Sequence, residues 1–592
     1  MKRLLITSPN EKSWKFDRPV IFLGDFCRPY KKKHIWSKMD AIVAEPYGLD
    51  LGLRKNNHEH LKVFRENFFR EIYPIFNRLH NVNYDERFWL ILMGDWMTRY
   101  VDVIYNRVKT LENCIERYEI SEISIVSNNK YIFAACNSYD ALESFNDENW
   151  NDYLLASIVK VYFLHLRIYE IEDHSPGNFE PANKIEPKSI KFILKKILYN
   201  LNSILFNLFG KDTDGLIISS YLPFFSELKL QLKFKQFPAY WRLGRKDFFK
   251  PASKFNFKQR SILSFEILKD KASSSAETLT RELFFLIVPV AFIEGFNDLI
   301  VEATNLPWPK RPKFIFTSNN YDFDEPFKAY VALKIHNNKS MYYIGCHGSG
   351  FYNFFENPLN AEVVCDKYIT WGWFHGSQKH KRGFIFTSLN KKATYDKNGV
   401  LLFIQHPLFN RACTWDVYAD HDIYFNKQQK FVGLLPSNIK SKVIIRLHHT
   451  SYLRGWHEKE KWIDYLSVDS YKIDEGRTKF EELSKKARLL VFSYDSTGFA
   501  EAMAQNVPAL LFFQIDFLQL NSYAKPYYQF LVDVEIAHSS PETLAKKVNE
   551  IWSNIDLWWT QDYVQKARVN FCDNYARNIE RPLDLLRSTF NE

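Results

Sequence analysis

The chain has little of what metal centres, disulfide scaffolds and membrane spans are built from. Its seven cysteines are scattered over 592 residues, with no C-x-x-C and no paired ligand spacing. That argues against a structural zinc site or a disulfide framework and fits reduced thiols in a cytosol. The longest apolar run, Leu283 to Ile293, is interrupted by Pro289 and falls well short of the ~18 residues that cross a bilayer. The opening MKRLLITSPNEKSW has too short an apolar stretch for a signal peptide. No repeat or low-complexity tract occurs. Charge of one sign is only mildly in excess, 79 Lys and Arg against 69 Asp and Glu. A net +10 so diluted argues against nucleic acid and suits an acidic ligand or an anionic membrane surface. The expectation is a cytoplasmic protein, peripheral to a membrane if it meets one.

At 592 residues, with 46% hydrophobic and 25% charged content, the chain calls for two or three globular α/β units. Val20 to Leu23 reads as an early strand, and 59–118 as long helices rich in core aromatics, interrupted at Gly94-Asp95. Ile123 to Val126 reads as a strand and Ser138 to Glu170 as a polar helical region. His174 to Pro187 is the clearest linker. Leu216 to Ser220, Phe314 to Ser318, Met341 to Ile344 and Tyr368 to Trp373 read as short strands running into polar turns, with a helix at Lys328 to Lys334. Lys379 to Gly399, basic and punctuated by glycine, is the best boundary. New strands open at Val400 and Lys442, and the chain closes on a capped helix after Ser540 and an aromatic-rich helix, Trp558 to Tyr575.

The stretch from Ala487 to Phe513 carries the strongest chemistry. A buried strand breaks at Ser493-Tyr494-Asp495-Ser496-Thr497-Gly498, a helix follows, and Pro508 opens a second buried strand. Ser496 and Thr497 stand where helix amides are unsatisfied, a place for a phosphate, and Glu501 lies one turn on, placed to accept from ribose hydroxyls. The plainer alternative is a capped structural helix with a solvated glutamate. His347, within G-x-H-G-x-G at a strand end, suits proton transfer, with the glycines, Gly348 and Gly350 among them, letting backbone approach a ligand and Gly348, Ser349 and Gly350 as cleft-lining candidates. Asp25, after the first strand, is an acceptor-side or catalytic acid, or a turn aspartate. Arg446 and His448 end another strand, where an arginine grips a phosphate or pairs with a carboxylate. Asp95 and His406 are further candidates to line a cleft. Arg242 to Arg260 interleaves seven basic residues with phenylalanines; it lies on anionic lipid, holds a polyanionic acceptor, or is a solvated loop. Three D-x-D matches, at 212–214, 322–324 and 420–422, read as loop carboxylates, and no metal is expected.

The Ser-Thr-x-x-x-Glu-Ala-Met-Ala-x-x-x-Pro element resembles the nucleotide-binding element in the second domain of GT-B glycosyltransferases. The succession of H-G at 347, R-x-H at 446–448 and the 493–508 element resembles transferases of bacterial surface polysaccharides, including teichoic-acid glycerophosphotransferases. Nearly the whole chain is similar to a transferase family of O-antigen gene clusters, through FLGDFCRPY, FWLILMGDW, HGSGFY, TWGW, QHP, RLHH and FCDNYAR. Cys346, Ser349 and Asp25 depart from that pattern, where Gln, Gly and Glu are expected. The resemblance implies two Rossmann-like domains facing across a cleft: 1–395, acceptor-side and enlarged by helical insertions, and 396–592, donor-binding. It implies transfer of a sugar from a nucleotide-activated donor, a substrate rather than a cofactor, to a lipid-linked glycan hydroxyl. His347 would activate that hydroxyl, and Arg446, His448, Ser496, Thr497 and Glu501 would hold the donor. A CDP-polyol transferase, a sugar-nucleotide epimerase and a non-catalytic glycan- or lipid-binding scaffold remain open.

Overall fold

A computed structural model describes residues 2–592 apart from 176, 180–189, 242–248, 269–273, 349–359, 390, 392–393, 409–410, 412–420, 451–454, 467–471 and 514–519. Its strands form three sheets with helices between them, and every pairing within the sheets is parallel. The first sheet holds β1 (Arg3–Ile6), β2 (Val20–Phe22), β3 (Ala41–Val43), β4 (Ile120–Ser127) and β5 (Arg167–Glu172), in the order β3-β2-β1-β4-β5. The second holds β6 (Leu216–Ile217), β7 (Phe314–Thr317), β8 (Met341–Gly345), β9 (Lys367–Thr370) and β10 (His380–Arg382), laid side by side in chain order. The third holds β11 (Val400–Ile404), β12 (Val443–Arg446), β13 (Lys472–Asp474), β14 (Ala487–Phe492), β15 (Ala509–Phe512) and β16 (Ala537–His538), in the order β13-β12-β11-β14-β15-β16.

Strands covered by helices on both faces are apolar throughout; β11 and β15 follow that rule, as does β14 from Leu489 to Phe492. Leu402 lies between Ile444 and Leu490 in register, and all three are buried. The strand order of the third sheet reverses between β11 and β14, which opens a crevice at their carboxyl ends where α/β sheets bind ligands.

Residues 1–395, expected as one Rossmann-like unit with insertions, hold two five-stranded sheets. Three local expectations need correction. The helix Glu86–Arg117 runs unbroken through Gly94-Asp95. Gly94 makes room for a neighbour: a Cβ there would lie 2.6 Å from Asn360 Oδ1. Arg167–Glu172 is an edge strand rather than the end of a helix. The chain ends on a further helix, Pro582–Thr589, which returns to the second sheet, with Leu586 and Phe590 buried among Phe314, Phe316 and Tyr343.

Candidate active site

Two strand ends from different sheets meet at His347. β8 ends at Gly345 and delivers Cys346, His347 and Gly348; β14 ends at Phe492 and delivers Ser493 to Thr497. The contact is close, since a Cβ on Gly348 would lie 2.7 Å from Thr497 Oγ1. Glycine permits this approach.

His347 Nδ1 lies 3.2 Å from the Ser318 carbonyl oxygen and 3.2 Å from the Tyr221 hydroxyl. A carbonyl only accepts, so Nδ1 carries the proton and the basic lone pair of the neutral ring is at Nε2. Burial lowers the pKa of the ring from its ordinary value, opposed by the Ser318 carbonyl and by the charge of Asp322. A neutral imidazole with this tautomer is competent as a general base. Tyr221 packs edge-on against it, ring centroids 5.3 Å apart, and holds a backbone φ of 62°. Ser219, two residues earlier in the same turn, has a φ of 47°. Such left-handed conformations are uncommon for residues other than glycine, and they cluster at functional sites.

The opposite wall is the reversal point of the third sheet. Ser496 caps the helix Thr497–Ala504, its hydroxyl accepting from the Phe499 amide at 3.2 Å. Phe499, Ala500 and Met503 face the core, which leaves Thr497, Gly498 and Glu501 on the less buried side. From β11 comes His406, whose ring stacks on Tyr494 at 4.4 Å. Its amide donates to the Tyr424 hydroxyl at 2.8 Å, and that hydroxyl lies 2.6 Å from Ser493 Oγ. This side therefore offers a helix start, a carboxylate one turn on, and an aromatic shelf.

The other expected residues lie elsewhere. Arg446 is paired with Asp474 on the adjacent strand and donates to the Thr478 carbonyl at 2.8 Å. The carboxylate alternative describes it, and a phosphate would have to compete for that guanidinium. His448 turns its Nδ1 to Thr450 Oγ1 at 2.8 Å. Asp95 accepts from Asn360 Nδ2 at 3.0 Å, near the bidentate Arg99–Asp322 pair. Burial, then the charge of Asp322, pushes its carboxyl up to about 6 against the pull of Arg99. Ser349 and Gly350 lie outside the described residues, as do 242–248 of the basic-aromatic segment. Of the rest of that segment, Arg260 is fully buried against Glu294, a structural pair.

Asp25 belongs to a second site. It lines a cavity of ≈ 380 Å³ between the first and third sheets, with Arg28, Trp36, Asp422, Trp456 and Lys461. Arg28 donates to Asp25 Oδ1 at 2.6 Å and to Asp422 Oδ2 at 2.8 Å, while Lys461 donates to Asp422 Oδ1 at 2.9 Å. Burial and the facing Asp422 raise the Asp25 carboxyl above its ordinary range, against Arg28 and Lys461. Asp422 is also subject to burial, yet bonds from His421 and Lys461 and the charge of Arg28 hold it below that range. Two carboxylates sharing one guanidinium are therefore shifted in opposite directions, Asp25 up and Asp422 down. Among the described contacts none joins Asp25 to His347.

The model of the LIC12162 family transferases matches residues 3–590. The chain belongs to the LIC12162 family transferases. No curated protein matches it. Among solved structures it is similar to the UDP-GlcNAc 2-epimerase of Neisseria meningitidis bound to UDP-GlcNAc, at 12% identity over 56% of this chain and 96% of that one, with a TM-score of 0.31. It is also similar to MurG of Acinetobacter baumannii, at 11% identity over 64% and 99% of the two chains and a TM-score of 0.33. The wall teichoic acid polymerase TagF gives 11% identity, 50% and 84% coverage and a TM-score of 0.27.

Sequence reasoning missed Tyr221, Tyr424 and the Arg28–Asp422 bridge. The signal for Tyr221 was present: β6 and β7 both run into serine-containing turns, but only the side-by-side strand order places those turns next to His347.

Proposed function

We propose that this family member transfers a sugar from a nucleotide-activated donor to a hydroxyl of a lipid-linked surface glycan. The supporting observation is the approach of Gly348 to Thr497, which sets a neutral histidine against a helix start. In this reading the third unit, divided from the rest near 395/396, holds the donor. Ser496 and Thr497 meet the diphosphate, Glu501 the ribose hydroxyls, and the His406–Tyr494 shelf the base; His448 stands at the neighbouring strand end. Arg446 serves mainly to hold Asp474.

His347 Nε2 takes the proton of the acceptor hydroxyl as that oxygen bonds to the anomeric carbon. The bond from that carbon to the phosphate oxygen breaks, its electron pair leaves with the nucleoside diphosphate, and no metal is required. The cavity at Asp25, walled by Trp36 and Trp456, receives a more distant part of the acceptor. Release of nucleoside diphosphate, followed with donor and a glycan-lipid fraction, tests this reading. His347→Ala should lose about 10²–10⁴-fold in kcat with donor affinity retained. Unchanged turnover removes His347 from the reaction, and turnover of CDP-glycerol in place of a nucleotide sugar replaces the transferred group.

A further inference from the structure

We propose that the helix Ile190–Phe209 docks the protein on an anionic lipid bilayer, lying in the plane of the interface. This inference goes beyond the transfer reaction and does not rest on it. The sequence IKFILKKILYNLNSILFNLF places Leu194, Ile197, Leu201, Ile204 and Leu208 at alternating spacings of three and four. At about 100° per residue these share one face. That face points outward: exposure runs from 49% at Leu201 to 68% at Leu208. The opposite face is the one that packs, through Phe206 against Trp241 at 5.3 Å and Asn202 Oδ1, which accepts from the Tyr240 amide at 3.1 Å.

The apolar surface continues onto the helix Phe224–Lys233, where Phe225 is 73% and Leu232 57% exposed. Phe224 of that helix meets Tyr240 at 4.8 Å, so both helices gather on the 240–241 segment. A run of exposed large side chains of this extent marks an interaction surface.

Charge selects the occupant. Residues 188–260 contain fifteen Lys and Arg against four Asp and Glu; with the buried Arg260 set aside, the excess still equals the chain's net +10. Lys196, Lys229 and Lys235 of that stretch are exposed. An apolar stripe flanked by lysines is the pattern of an in-plane helix on anionic lipid. Two copies of the same basic surface would repel each other. No described helix is long and apolar enough to cross a membrane, which agrees with lying on one.

The test is co-sedimentation of the full chain with vesicles of phosphatidylcholine alone and of phosphatidylcholine mixed with phosphatidylglycerol. The comparison is a variant carrying Ile197→Glu, Leu201→Glu and Leu208→Glu, all at exposed positions, so its melting temperature should match the parent. The parent should pellet with the anionic vesicles, less so at high salt, and the variant should lose at least ~10-fold in partitioning. Equal pelleting of both proteins, or none by the parent, overturns the proposal. So does a parent dimer in ultracentrifugation that ignores vesicles and that the variant dissolves, since the face is then a contact between copies.

Discussion

His347 keeps its proton on Nδ1 because the Ser318 carbonyl can only accept, and burial keeps the ring neutral. A base works in its deprotonated form, so activity should rise as pH passes upward through the pKa of His347. Because that pKa is lowered, the acid limb of kcat/KM against pH should lie below the ordinary histidine value of ~6.5. A limb at or above that value would mean that the histidine is protonated when it acts, or that another group is the base. The strand-end position of His347 was legible in the sequence because glycines flank it just after an apolar run. Tyr221, 126 residues away, was not, since only the order of strands in the second sheet joins them.

At the level of elements, the buried strands were the easiest to read and the edge strands the hardest. β11, β15 and the Leu489–Phe492 part of β14 are apolar on both faces, a pattern visible in one dimension. β5 holds only half-buried and exposed residues at a sheet edge, so it lacks the buried apolar run that separates a strand from a polar helix. The helix Ile190–Phe209 shows that periodicity reveals an apolar face but not whether protein covers it. Arg446 likewise announced a charged strand end, while its partner Asp474 sits on the next strand, 28 residues on. We expect Arg446→Ala and Asp474→Asn each to lower stability by about 1–3 kcal/mol. The double variant should lose less than the sum, because the two variants share the Arg446–Asp474 pair, while the bond to the Thr478 carbonyl is lost with Arg446 alone. Additive losses in a denaturation cycle would show that Arg446 has other work to do.

Across the whole molecule, the first and third sheets are tied by Arg28 to Asp422, by Tyr30 to Asp464, and by Arg411, which is buried against Phe26. Near Arg411, burial pushes the Asp152 carboxyl up to about 8. Burial depresses His58, His80, His375 and His538 to about 4. The histidines are neutral when folded and charged when unfolded over pH ~4–6.5, so their stabilisation is lost as pH falls through that window. Asp152 has the opposite sign: its raised pKa favours folding at low pH, and the benefit is lost as pH rises toward about 8. On the acid side the four histidines outweigh Asp152 and Asp95, whose carboxyl is pushed up to about 6, so the melting temperature should peak near neutrality. Asp152→Asn should flatten the decline above it, and an unchanged decline would place the cause elsewhere.

The central claim, a nucleotide-activated donor on the third sheet, is tested most directly by melting the purified protein with CMP, CDP, UDP, GDP and dTDP, and repeating this with Glu501→Ala. A nucleotide at about 100 times its Kd adds ~2.7 kcal/mol. The account predicts a rise in Tm with one nucleotide that the variant loses; no rise with any of them would contradict it.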